Sequence, residues 1–215
     1  MNSTFFFEKG VVMKKQFDER NLTMVMDFYE LTMANGYFKD EDKERKVAFD
    51  VYRKNPDNAG YAIFAGLEQI IEYIENLHFD EDDIEYLRGQ GLFGEEFLAY
   101  LADFKFRGDI YSFPEGTIMY PNEPVITVVA PLLDAQLVET AILLQVNHQS
   151  LIATKTRRIV RSAKGRAVSD FGARRAHNMD AAVYGATSEV RLVQLLFLPV
   201  RCLIFQSVEQ WHTAG

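Results

Sequence analysis

The stretch RAVSDFGARRAHNMDAAVYGA, residues 166–186, governs how the rest of the chain is read. Its opening RAVSDFG reads as a buried strand, and Arg174, Arg175, Ala176 and His177 follow as a loop. Asn178 or Asp180 then stands where a cap is wanted, ahead of a helix through Ala181, Ala182 and Val183. Strand, loop and helix in that order form the repeat unit of an αβ barrel, whose chemistry sits at the C-terminal ends of the strands. Two guanidinium forks placed there suit the oxygens of a phosphate or carboxylate. On composition alone, the same two arginines read equally simply as members of surface ion pairs.

Upstream, Leu132 to Ser162 holds a long apolar periodicity without Gly or Pro, which predicts two helices or one bent helix ended by Gly165. Phe106 to Ala130 is rich in β-branched and aromatic residues broken by Pro and Gly, so several short antiparallel strands are expected there. Glu95 to Phe104 predicts a short helix, and Tyr61 to Leu77 another. Val47 to Tyr52 alternates as a strand closed by a turn around Asn55, Pro56 and Asp57. A helix is expected from near Thr23 to Gly36. Asp80, Glu81, Asp82 and Asp83 could be taken for a metal site, but their position ahead of Ile84 and Leu87 suits the first turn of a helix.

The 215 residues are 48% apolar, enough for a real core, and no tract has the low hydrophobicity and high charge of a disordered segment. A formal charge of -8 argues against a surface that coats nucleic acid, so an anionic substrate would have to meet a local basic site. The single Cys202 excludes an internal disulfide and fits a reducing cytoplasm. No apolar run reaches the roughly 18 residues of a membrane span, and the start MNSTFFFEKG lacks the basic region of a secretory signal. Codons for Lys9, Gly10 and Val11 can spell a ribosome-binding sequence ahead of Met13, which marks residues 1–12 as an extension and Met13 as the natural start. Motifs for a P-loop, a Rossmann turn, paired-His metal binding or a nucleophile elbow are absent from the sequence.

Several blocks in series carry a more specific signal. MDFYELTMANGYF, FDVYRKNP, FAGLEQIIEYI, FRGDIYSFPEGTIMYPNEP, PLLDAQLVETAILLQVNHQSLIATK and SDFGARRAHNMDAAVYGA together resemble the nicotinate phosphoribosyltransferases over residues 22–186. The resemblance implies a type II phosphoribosyltransferase fold: an N-terminal α+β domain, here 13–130, then a helix pair at 131–164 bridging to the first strand and helix of an αβ barrel at 165–186. It implies sites completed across a homodimer and the joining of nicotinate to 5-phosphoribosyl 1-diphosphate, with ATP and Mg. Matched residue by residue, Tyr29 would line the nicotinate pocket, Arg174 and Arg175 would bind phosphate or carboxylate, and His177 would sit beside them. Arg53, in a block with Phe49, Asp50 and Tyr52, would approach the partner's site. Tyr29 reads otherwise as a core tyrosine, His177 as a loop residue, Arg53 as a surface arginine, His148 as a hydrogen-bonded interior histidine and His78 as a helix-end residue.

After Ala186 the resemblance stops. From the third base of the Thr187 codon, synonymous codons for the same residues can encode IGSATGTVAVLAGQMFDIPVSGTMAHSW, whose last block is similar to the one holding the family's phosphorylated histidine. The tail at 187–215 therefore reads as the product of a changed frame, and the chain as an inactive, incomplete barrel with unpartnered apolar faces. The alternative is a non-catalytic remnant that pairs with an intact subunit. A relative that uses nicotinamide or quinolinate is disfavoured by the SDFGARRA and MDFYELTMA blocks.

Overall fold

In a computed structural model that describes residues 20–53, 60–166 and 168–194, the alternation of Val47, Phe49 and Val51 forms strand β1 (Lys46–Val51). It pairs antiparallel with β5 (Ile126–Pro131), so that Val47 lies opposite Ala130, Phe49 opposite Val128 and Val51 opposite Ile126, one apolar face built by register. On the other face Thr127 donates to Asp50 at 2.6 Å. β3 (Asp109–Ser112) pairs on the far side of β5, giving the order β1-β5-β3. A second small sheet joins β2 (Ala62–Ile63) to β4 (Ile118–Met119).

Helices cover these strands: α1 (Phe28–Phe38), α2 (Leu67–Glu75), α3 (Glu81–Gly89), α4 (Glu95–Ala102), α5 (Leu132–Gln136), α6 (Glu139–Ala163) and α7 (Met179–Gln194). Phe64, Phe97, Leu87, Leu98, Leu101, Leu133 and Leu137 are buried between the layers, each worth about 1.5–3 kcal/mol relative to exposure. An aromatic chain from Phe28 through Phe93, Phe97, Phe38 and Tyr100 to Phe104, with neighbouring centroids 5.2–6.1 Å apart, welds α1 to α4. Among the described residues no helix is long and apolar enough to cross a membrane.

The acidic cluster behaves as a cap. Asp80 accepts from the Asp83 N–H and Asp83 from the Asp80 N–H, at 2.9 and 3.1 Å, while Asn21 donates to both carboxylates. Among the described residues no group of three His, Cys, Asp or Glu side chains is arranged to hold a metal.

Polar bonds tie distant parts of the sequence together. Arg107 gives its backbone N–H, Nε and a terminal nitrogen to the buried carboxylate of Asp134, at 2.9, 3.2 and 2.9 Å. Glu115 accepts from the N–H groups of Gly66 and Leu67 at 2.7 and 2.8 Å, capping α2. Ser150 and Thr154, one turn apart on α6, receive the N–H groups of Ala65 and Ile63 at 3.1 and 2.8 Å. The helix thereby replaces a strand neighbour beside β2.

Three expectations are corrected. The helix from Thr23 begins only at Phe28, because Thr23 is engaged outside any helix, its hydroxyl accepting from the His78 N–H at 3.0 Å and its own N–H donating to the Asn21 side-chain oxygen at 3.0 Å. Tyr61 to Leu77 is not one helix. Its first residues pair as β2, Phe64 exchanges backbone bonds with Thr117 and Gly116, and Gly66 turns the chain at φ 109° before α2. The segment RAVSDFG forms no strand among its described residues: Asp170 accepts from the Gly172 N–H at 2.8 Å in a local turn, and Phe171 is exposed. The described strands pair among themselves, and none of them pairs with this segment. The extension at 1–12, the turn at 55–57 and residues 195–215 of the proposed out-of-frame tail lie outside the described residues.

Candidate functional site

α1 is short and carries its most informative residues in its first turn. Tyr29 is partly exposed, with its hydroxyl toward the Glu139 carboxylate at the start of α6. Partial burial first, and then the negative charge of Glu139, push that hydroxyl up to about 12, so the ring stays neutral at physiological pH. Gln136 at the end of α5 donates to Glu139 at 2.8 Å and holds it in place. A neutral phenol with one exposed edge can lie against a flat heteroaromatic.

Glu30, the next residue, was not singled out by pattern. It is fully buried, and Oε1 accepts from the Thr140 N–H at 2.7 Å while Oε2 has no partner among the described residues. Burial is the main cause that raises its carboxyl to about 7, with Glu139 and Asp27 adding in the same direction. One signal was available. Ala34, four residues on and fully buried, shares its helix face, so Glu30 had to point inward.

The second group of residues lies on the connection between α6 and α7. α6 ends at Lys164, φ 50°, and Gly165, φ 83°. The chain then runs through a short 3-10 turn at Ala173–Arg175, and Asn178 caps α7 by accepting from the Ala181 N–H at 2.8 Å. Arg174, Arg175 and His177 are exposed, and among the described residues the two guanidinium groups make no hydrogen bond or ion pair. Arg20, Arg88 and Arg107, by contrast, are each paired with carboxylates. The simple reading of Arg174 and Arg175 as surface ion-pair members therefore does not hold among the described residues.

His177 comes close to His148, which is half-buried on α6. Burial first, and then the neighbouring His177, hold His148 below its ordinary range. Arg53 leaves β1 beside Pro121, its carbonyl accepting from the Asn122 N–H at 2.9 Å. His78 is exposed near the end of α2, its Nδ1 2.7 Å from the Asn76 carbonyl. Tyr29, Arg53 and the Arg174 to His177 turn thus occupy three separate elements. A cleft of about 310 Å³ is lined by Arg20, Thr23, Tyr73, Gln145 and Tyr184 among others.

Residues 24–147 match the model of the nicotinate phosphoribosyltransferase N-terminal domain. The chain is 47% identical to the nicotinate phosphoribosyltransferase pncB2 of Mycobacterium tuberculosis, an alignment covering 73% of this chain and 34% of that protein. It is 42% identical to the nicotinate phosphoribosyltransferase of Bacillus subtilis, over 86% of this chain and 40% of the relative. The crystal structure of human nicotinic acid phosphoribosyltransferase superposes with a TM-score of 0.72 at 25% identity, covering 83% of this chain and 38% of the human one. A nicotinate-nucleotide pyrophosphorylase from Pyrococcus furiosus shares the fold at TM-score 0.54 and 22% identity, over 93% of this chain and 44% of that one. The chain spans well under half the length of these relatives, and the part it matches is N-terminal in the family. With that domain matched over more than half its residues, the chain belongs to the nicotinate phosphoribosyltransferase family, whose mixed α/β N-terminal part it carries.

Proposed function

We propose that this chain carries the N-terminal share of an enzyme that joins nicotinate to 5-phosphoribosyl 1-diphosphate, giving nicotinate mononucleotide and diphosphate in the salvage of NAD. One observation supports this most. In most of the blocks that resemble the family, polar side chains have structural duties, as Arg107, Glu115, Asp134, Ser150 and Thr154 do. In the last block, Arg174 and Arg175 have none among the described residues.

Two guanidinium groups beside a helix N-terminus, unpaired among the described residues, give positive charge where an anionic substrate needs it, in a protein of net charge -8. As diphosphate leaves the ribose, negative charge grows on its oxygens, and Arg174 and Arg175 would hold that charge. Tyr29 would present its neutral ring to the pyridine, and Arg53 would approach the site of a partner in a homodimer. His177 would border the phosphates. Mg²⁺ would arrive on the diphosphate, which suits an ion that keeps its waters and binds through substrate phosphates, and it would offset phosphate charge there. ATP hydrolysis would be coupled through a phosphorylated histidine that the tail at 187–215 does not encode in its present frame. The 215 residues alone would then be inactive.

The second reading, a non-catalytic remnant that pairs with an intact subunit, is favoured by the exposed Leu143, Leu144 and Leu151 of α6. The test is a pair of proteins, this chain and one from a gene whose frame is restored after Ala186, assayed for nicotinate mononucleotide with and without ATP. Turnover by the restored protein alone supports the proposal. Turnover of nicotinamide in place of nicotinate refutes it, and co-purification of this chain with the restored protein supports the remnant.

A further inference from the structure

We propose that Glu30 is a positioning residue whose buried carboxyl latches the first turn of α1 to the N-terminus of α6, and that its proton sets how firmly the adjacent Tyr29 is held. The inference rests on the reading of Tyr29 as a wall of the nicotinate pocket. The latch is reciprocal: Glu30 Oε1 accepts from the Thr140 N–H at 2.7 Å, and the Thr140 hydroxyl accepts from the Asp27 N–H at 3.3 Å. Backbone and side chain of one residue on α6 thus hold both ends of the first turn of α1. Tyr29 faces Glu139, the immediate neighbour of Thr140. Any slip of the latch therefore moves the ring relative to the carboxylate it faces.

Glu30 has no exposed surface, and among the described residues its buried Oε2 meets no donor. A buried carboxylate with one oxygen unsatisfied is costly, whereas the protonated form carries no charge and keeps an acceptor for Thr140. Among the described residues, the groups that face it offer no cation to offset that charge. They are Asp27 and Tyr29 around the start of α1, Glu139 and Thr140 on α6, and Tyr73 on α2. Charging Glu30 places it among like charges, which loosens the junction, and the raised value of about 7 puts this event at physiological pH.

The test uses the full chain labelled with 3-fluorotyrosine, the Tyr29 resonance being identified by its loss in Y29F. Between pH 5.5 and 8.5 that resonance should shift with a midpoint near 7. In E30Q, which keeps an acceptor for the Thr140 N–H, it should be flat. His148 is common to both proteins, so its contribution cancels in the comparison. An unchanged midpoint in E30Q overturns the proposal, as does a flat wild-type resonance, a result that needs no variant to fold. Nicotinate added at fixed pH tests the underlying reading separately: a Tyr29 resonance that ignores it would discard Tyr29 as pocket wall while leaving the latch result intact.

Discussion

Replacing Asp134 by Asn should unfold this domain more readily than any conservative surface change. The carboxylate is fully buried at the start of α5 and accepts three N–H groups from Arg107, one of them from the backbone. An amide in its place offers one acceptor, and its NH₂ turns donors toward the guanidinium. Breaking a buried ion pair costs about 3–5 kcal/mol. Two features favour the lower end. The Arg107 side chain is 47% exposed and can recover water, and it keeps Glu44 at 3.0 Å. We therefore expect a loss of about 3 kcal/mol, which at a urea slope of about 2 kcal/mol/M lowers the midpoint by about 1.5 M. R107Q should cost more, because it leaves a buried carboxylate with no guanidinium to offset its charge, whereas D134N leaves a half-exposed arginine that water and Glu44 still satisfy. Urea titrations of the two variants at pH 7 measure both. A loss under about 1 kcal/mol for D134N, or a smaller one for R107Q than for D134N, would refute the reasoning.

Other substitutions probe separate links. G66A adds a methyl 2.8 Å from the Gln145 carbonyl oxygen at a backbone angle of φ 109°, and thermal melting should show a loss of about 3 kcal/mol, combining backbone strain with overpacking. His148, held below its ordinary value by burial and by His177, stays neutral in the fold while it would charge in the unfolded chain. The stability it contributes is complete above about 6.5, the ordinary value, and is lost as pH falls below it. H148Q should flatten that part of a stability-against-pH profile, and an unchanged slope would remove His148 as its source. Inorganic diphosphate should bind the wild-type chain in calorimetry and bind the R174Q/R175Q variant at least tenfold more weakly, about 1.4 kcal/mol. Equal affinity would mean that the two arginines are not the anion site.

Much of the fold can be read from sequence where one local rule dominates. Val47, Phe49 and Val51 alternate because one face of the sheet is buried, and period two then leaves a single register. Asp80 and Asp83 read as a cap because the partners lie three residues apart. The errors fall where distant residues override local preference. Ala62 and Ile63 sit in an apolar run that suits a helix, yet their partners are Met119 and Ile118 and the hydroxyl of Thr154, 91 residues away from Ile63. Thr23 has helical company, but the N–H of His78 claims its hydroxyl. Glu30 escaped notice because an isolated glutamate in a helix is ordinarily solvated; Ala34 on its face is a weak local hint, and the partner that receives its carboxyl, Thr140, lies 110 residues away.

The failed strand at RAVSDFG bears on the site itself. A barrel strand holds the residues at its C-terminal end through ladder bonds on both sides, and those bonds give the following loop its aim. Here Arg174 and Arg175 depend instead on the Asp170 to Gly172 turn, the 3-10 turn and the Asn178 cap. Those bonds are local, and none reaches the sheet that contains β1, β3 and β5. On the reading that Arg174 and Arg175 hold substrate phosphates, they would do so here without the rigidity that binding a transition state demands, since positioned charge stabilises only where it need not reorganise. Neighbouring barrel strands on both sides of residues 166–172 would supply what is missing. A chain restored in frame after Ala186 should thus protect the amides of residues 168–172 from hydrogen exchange, while this chain should leave them fast. Equal exchange in the two would mean that this segment does not need ladder partners, and that the aim of Arg174 and Arg175 is set by their local turns alone.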